Sequence, residues 1–191
     1  MILSVGIFLF DEVEVLDFSG PFEVFSSAKD GEKHVFDVYT IAEDKRILKS
    51  YGNLKIQVDY TIHDHPKLDV LIIPGGYGIE KVNIDIVKPW LDRQFHEKTI
   101  LASICTGAFI LAKSNLLNGL KATTHFEDTA ILEHGFPEIE VIKNARFVDN
   151  GQILCSSGIS AGIDLSLYLL EKLKGKTIAD KCRKRMEWTS P

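Results

Sequence analysis

The chain has 191 residues, 45% hydrophobic and 26% charged, enough for one α/β domain with a sizeable core. Its 22 basic and 27 acidic residues leave a net charge of −5, without the basic stripe that a nucleic-acid-binding surface needs. The three cysteines, Cys105, Cys155 and Cys182, are too few for a disulfide framework, no apolar run reaches the length of a membrane span, and the Met1 to Phe10 segment lacks the basic start of a signal peptide, so a cytoplasmic protein is expected.

Ser4 to Phe10 reads as a buried strand, and Asp17-Phe18-Ser19-Gly20-Pro21 opens a helix with Pro21 suited to its first position. Val35 to Ile41 is a second strand, and Lys49 to Asp59 alternates as a small hairpin around Gly52-Asn53. Asp69 to Pro74 is another apolar strand, ending in Gly75-Gly76. Val87 to His96 is helical. Lys121 to Thr124 is a short strand, Phe126 to His134 a helix, and Ile139 to Ile142 and Arg146 to Val148 are strands. Asp149-Asn150-Gly151 turns the chain into Gln152 to Cys155. Ser160 to Leu173 is a long apolar helix, core or dimer interface, and Thr177 to Trp188 is a terminal amphipathic one. Its basic run, Lys181 to Arg185, reads as a solvated face. Strands alternating with helices predict a mostly parallel sheet covered on both faces, in a single domain over residues 1–191.

The most informative stretch lies between the second helix and the Lys121 strand. Ile100 to Ile104 is an apolar strand, Cys105 follows, and Thr106-Gly107 leads into the apolar helix Ala108 to Ala112. A nucleophile elbow needs this order, because a sharp strand-to-helix turn lifts one side chain above the sheet. The helix N-terminus beneath Cys105 is expected to favour a thiolate, the nucleophilic form. In open α/β sheets ligands bind at the carboxyl ends of the strands. Asp17, Gly75-Gly76 and Cys105 each follow a strand and are expected to converge there.

Taken together, Leu16 to Phe25, Ile73-Pro74-Gly75-Gly76, Ile104 to Ala108, Thr124-His125 and Ser157 to Asp164 resemble the ThiJ/PfpI superfamily of class I glutamine amidotransferase-like proteins. The resemblance covers nearly the whole chain. It implies a flavodoxin-like, doubly wound sandwich, a reactive elbow cysteine and a homodimer. Thr106 stands where protease-like members carry a histidine, which argues against a protease. The Asp-x-x-Gly-Pro signature with Cys-Thr-Gly is similar to isonitrile hydratases and to the sensor domains of AraC-type regulators. Those regulators continue into a helix-turn-helix domain that the sequence to Pro191 does not contain.

The resemblance implies a cysteine-dependent hydratase or hydrolase of a small molecule, with Cys105 as nucleophile and Asp17 as acid/base, although Asp17 also suits a helix N-cap. The other implied roles are a ligand or redox sensor and a deglycase- or chaperone-like stress protein. Thr106 and Gly76 are expected to offer backbone N–H groups to an oxyanion, and the Thr106 hydroxyl to hold a water or simply start the helix. Gly75 and Gly76 serve either a tight turn or close approach to a ligand. His125 is either a substrate contact and acid/base or a structural histidine. His63 and His65 precede Pro66 in a loop with no third ligand at a suitable spacing, so no metal is expected. No cofactor, nucleic acid or membrane partner is expected.

Overall fold

The computed structural model describes residues 1–44 and 46–189. In chain order the elements are β1 (Leu3–Phe8), α1 (Val15–Ser27), β2 (Lys29–Asp30), β3 (Lys33–His34), β4 (Phe36–Ala42), β5 (Ile47–Lys49), β6 (Lys55–Gln57), β7 (Tyr60–Thr61) and β8 (Val70–Ile73). They continue with α2 (Ile84–His96), β9 (Ile100–Ile104), α3 (Ala108–Lys113), β10 (Lys121–Ala122), α4 (Thr129–Gly135), β11 (Glu140–Val141), β12 (Phe147–Asp149), β13 (Ile153–Ser156), α5 (Ala161–Lys174) and α6 (Lys176–Arg185). Short 3-10 turns occupy Tyr77–Lys81, Cys105–Gly107 and Phe126–Asp128.

Seven strands form the central sheet in the order β12-β13-β9-β8-β1-β4-β7. All pairs are parallel except β12 with β13. The run β4-β1-β8-β9-β13 is the 2-1-3-4-5 order of a flavodoxin-like sheet, and its strand order reverses between β1 and β8. The inner strands are apolar on both faces because helices cover both: every residue of β8 and β13 is buried. Burying each Ile or Leu of these strands contributes about 1.5–3 kcal/mol relative to exposure. Helix α1 packs on α5 and α5 on α6. Asp164 of α5 accepts from Arg146 Nε at 2.6 Å and Trp188 Nε1 at 2.8 Å, which ties the segment after α6 to the body.

Several sequence expectations shift. Helix α1 begins at Val15, so Pro21 lies inside it rather than at its start, and Asp17 sits in its first turn rather than at the cap. Non-local backbone contacts set that start. The Glu14 N–H donates to the Gly75 carbonyl at 2.9 Å, and Val13 bridges Gly76. The Lys49–Asp59 hairpin is β5 with β6, turning through Gly52-Asn53, while Tyr60–Thr61 leaves it to join the main sheet beside β4. The Lys121 strand does not enter the central sheet and pairs with β11 instead. The helix expected from Phe126 begins with a 3-10 turn and becomes α-helical at Thr129.

Candidate active site

The strand-to-helix turn after β9 has the strained geometry an elbow requires. Cys105 has φ +54°, a left-handed conformation that costs a non-glycine residue on the order of 1–3 kcal/mol. The strain is held from two sides. The buried Thr124 hydroxyl donates to the Cys105 carbonyl at 2.8 Å. Gly107 packs so closely under the end of β8 that a Cβ there would strike the Ile73 carbonyl.

The turn after β8 is equally constrained. Gly76 has φ +143°, and a Cβ on it would stand 2.5 Å from the Glu12 carbonyl and 2.6 Å from the Glu14 nitrogen. Glycine is therefore required for close approach of the 11–14 segment, not only for the turn. That approach carries Glu14 and Asp17 to the end of β8. Asp17 is fully buried, and its Oδ2 accepts the Gly75 N–H at 3.0 Å. Its carboxyl lies near enough to the Cys105 thiol for the two to act on each other electrostatically, while Oδ1 has no hydrogen-bond partner among the described residues.

Burial pushes the Asp17 carboxyl up to about 7; the Glu14 charge adds to this, and the Gly75 N–H opposes it. Burial also pushes the Cys105 thiol up, and the negative charge of Asp17 pushes it further. The Thr106 N–H at the helix start favours the thiolate as expected, but it is outweighed. Burial and the carboxylate thus oppose the thiolate that the helix start favours, and near neutral pH the pair retains at least one proton between them. Two buried acidic groups in contact cannot both be ionised cheaply.

Thr106 and Gly76 meet, but not as an open oxyanion cradle. The Gly76 N–H donates to Thr106 Oγ1 at 3.0 Å, so that donor is engaged within the protein. The Thr106 hydroxyl points back at the Gly76 carbonyl, at 3.4 Å, rather than at a free water site. The remaining donor is the Thr106 N–H, which is directed at the Cys105 sulfur.

His125 closes the opposite wall. Its side chain is 21% exposed, and Nδ1 lies 3.7 Å from a Glu127 carboxylate oxygen and 3.6 Å from one of Asp128. Gly158 fits between it and Cys105: a Cβ there would stand 2.5 Å from His125 Cδ2 and 2.9 Å from Cys105 Sγ. Cys105, Thr106, Gly76 and His125 line one cleft of about 330 Å³, with Glu14, Tyr77, Glu127, Asp128 and Ile159. Glu14 lies outside every motif the sequence singles out and only the fold brings it here, whereas Gly158 falls within the Ser157–Asp164 motif, which does not by itself place it beside Cys105.

Other candidates lie elsewhere. Cys155 is fully buried and its thiol is pushed up to about 11 by that burial. Cys182 is buried against Val24 and Ser27. His63 and His65 line a separate groove of about 530 Å³ with Lys67 and Arg93. His65 is not a free loop residue: its Nε2 accepts from Trp90 Nε1 at 2.8 Å and its Nδ1 donates to the Pro66 carbonyl at 2.7 Å. Among the described residues no helix is long and apolar enough to cross a membrane.

Residues 3–172 match the pattern of the DJ-1/PfpI family. The chain is similar to the isonitrile hydratase of Pseudomonas putida, 30% identical over 98% of this chain and 79% of that protein. It is also similar to the HTH-type transcriptional regulator GbdR of Pseudomonas aeruginosa, 25% identical over 92% of this chain but only 48% of the regulator. A crystal structure of a ThiJ/PfpI family protein from Pseudomonas syringae superposes over 100% of this chain and 77% of that one, with a TM-score of 0.87 at 24% identity, a likeness of fold alone. The chain belongs to the DJ-1/PfpI family.

Proposed function

We propose that this DJ-1/PfpI family member is a cysteine-dependent hydratase of small molecules, isonitrile hydratase-like, with Cys105 as nucleophile and Asp17 as proton carrier. The observation that carries the reading is the placement of a buried carboxyl, pushed up to about 7, beside the elbow thiol that lines the cleft. A carboxyl near its midpoint at neutral pH can take a proton and return it, as acid–base catalysis needs.

In the proposed reaction Asp17 takes the thiol proton as Cys105 Sγ attacks the terminal carbon of R–N≡C. Asp17 then delivers that proton to the same carbon, leaving a thioimidate, R–N=CH–S–Cys105. Water adds to the C=N carbon, and nitrogen gains a proton. Collapse of the adduct breaks the C–S bond, returns the thiol and releases R–NH–CHO. Atoms balance as one isonitrile plus one water to one formamide. The Thr106 N–H stabilises charge on sulfur. Gly75 holds Asp17 Oδ2, leaving Oδ1 for the proton.

A second reading, a ligand sensor without turnover, is favoured by the burial that pushes the Cys105 thiol up and by the match to about half the length of GbdR. The two separate in one experiment. Wild type and Cys105→Ser are incubated with a panel of small isonitriles and formamide is measured. Turnover by wild type alone supports the hydratase; ligand binding without product supports the sensor.

A further inference from the structure

The lining of the cleft has a one-sided charge. Glu14, Glu127 and Asp128 all face it, and His125 is the one residue with a basic side chain among those lining it. The two acids beside His125 are 70% and 30% exposed and lean on its Nδ1. Glu14 has no such neighbour: its half-buried carboxylate makes no hydrogen bond or ion pair among the described residues, and it acts on Asp17 and Tyr77 only as a repelling charge. The nearby lysines are already committed, Lys81 to Glu12 and Lys113 to Glu80, both at 2.7 Å.

A further feature of the same cleft points to a ligand. At the mouth, the Tyr77 ring is 68% exposed yet held in place by stacking on Tyr51, with centroids 4.2 Å apart and planes 26° from parallel. An ordered aromatic face beside an unpaired carboxylate recognises a cation.

We propose that the cleft takes small substrates carrying a positively charged amino or ammonium group and rejects carboxylates of the same size, with Glu14 and Tyr77 holding the charged end while the reacting carbon meets Cys105. This rests on the hydratase reading for the role of Cys105 but not for the charge preference. A partly enclosed acidic cleft concentrates cations and depletes anions, and salt screens the effect.

The test uses three methanethiosulfonate reagents of similar size, carrying a trimethylammonium, a sulfonate or no charge. Labelling of Cys105 is followed by peptide mapping and each rate is divided by that of the same reagent with a free thiol. The expected cationic-to-anionic ratio at low salt is roughly tenfold or more, falling toward one at high salt. Glu14→Gln and Glu127→Gln should each lower it severalfold, and Glu97→Gln, in the other groove, should leave it unchanged. A ratio of one or less with brisk neutral labelling overturns the charge preference and spares the nucleophile. The preference is also read without thiol chemistry, from the shift of the His125 ring NMR signals on titration with tetramethylammonium or acetate. Saturable shifts with the cation, lost in Glu14→Gln, support the proposal even if Cys105 resists every reagent. Shifts with acetate alone, or with neither ion, overturn it.

Discussion

Asp17, in the first turn of α1, and Cys105, in the turn after β9, meet in the interior, where burial raises the carboxyl to about 7 and both burial and the carboxylate raise the thiol. Each group sets the protonation of the other, so a change at one is read at both.

Asp17→Asn separates activity from thiol reactivity. Turnover should fall by about 10²-fold or more, because the proton carrier is lost. Alkylation of Cys105 by iodoacetamide at pH 8 should become faster than in wild type, because the opposing charge is gone. Slower alkylation would show that the carboxylate activates the thiol at rest.

The same substitution should stabilise the protein at neutral pH. Burial pushes the folded Asp17 up to about 7, above the ordinary aspartate value of 3.8, so the unfolded chain loses its proton first as pH rises. The stability this group gives is full below about pH 4 and declines until about pH 7, by up to a few kcal/mol. Denaturant melts of wild type and Asp17→Asn should therefore coincide in acid and diverge toward pH 7, with the variant more stable. Equal pH slopes would contradict the buried, raised carboxyl.

Much of this site was legible in the residues. Cys105 between an apolar strand and Gly107 announced an elbow, and the apolar runs Val70–Ile73 and Ile100–Ile104 placed its neighbours at one sheet edge. The start of α1 was not legible, because Pro21 is a local signal and the bonds from Glu14 to Gly75 and Val13 to Gly76 are not. The same holds for the Gly76 N–H: its capture by Thr106 Oγ1 depends on two loops meeting. The upward push on the Cys105 thiol is not legible either, since helix-terminal N–H groups are visible in sequence and burial beside a carboxyl is not.

Gly158→Ala should lower kcat/KM by about 10²-fold without unfolding the protein, since its Cβ would press on both Cys105 Sγ and His125 Cδ2, and a small displacement of reacting groups is costly. Unchanged circular dichroism with lost turnover is the expected pair of readings. Full activity would mean that the wall between sulfur and imidazole is free to move.

Thr106→Val removes the hydroxyl that accepts the Gly76 N–H and leaves that donor unpaired, at a cost of about 1–3 kcal/mol. Thr106→Ser keeps the acceptor. Thermal melts should separate the two, with Ser near wild type and Val lower, and turnover should follow the same order. Equal behaviour would remove the hydroxyl from the architecture of the site.

The central claim is covalent hydration at Cys105 with Asp17 as proton carrier, and formamide release from a panel of small isonitriles tests it most directly. Wild type should convert at least one isonitrile to its N-substituted formamide. Cys105→Ala and Asp17→Asn should each nearly abolish conversion, and the double variant should be little worse than either, as groups acting as one unit behave. Full conversion by Cys105→Ala, or no conversion by wild type while ligands bind and Cys105 oxidises reversibly, would contradict it.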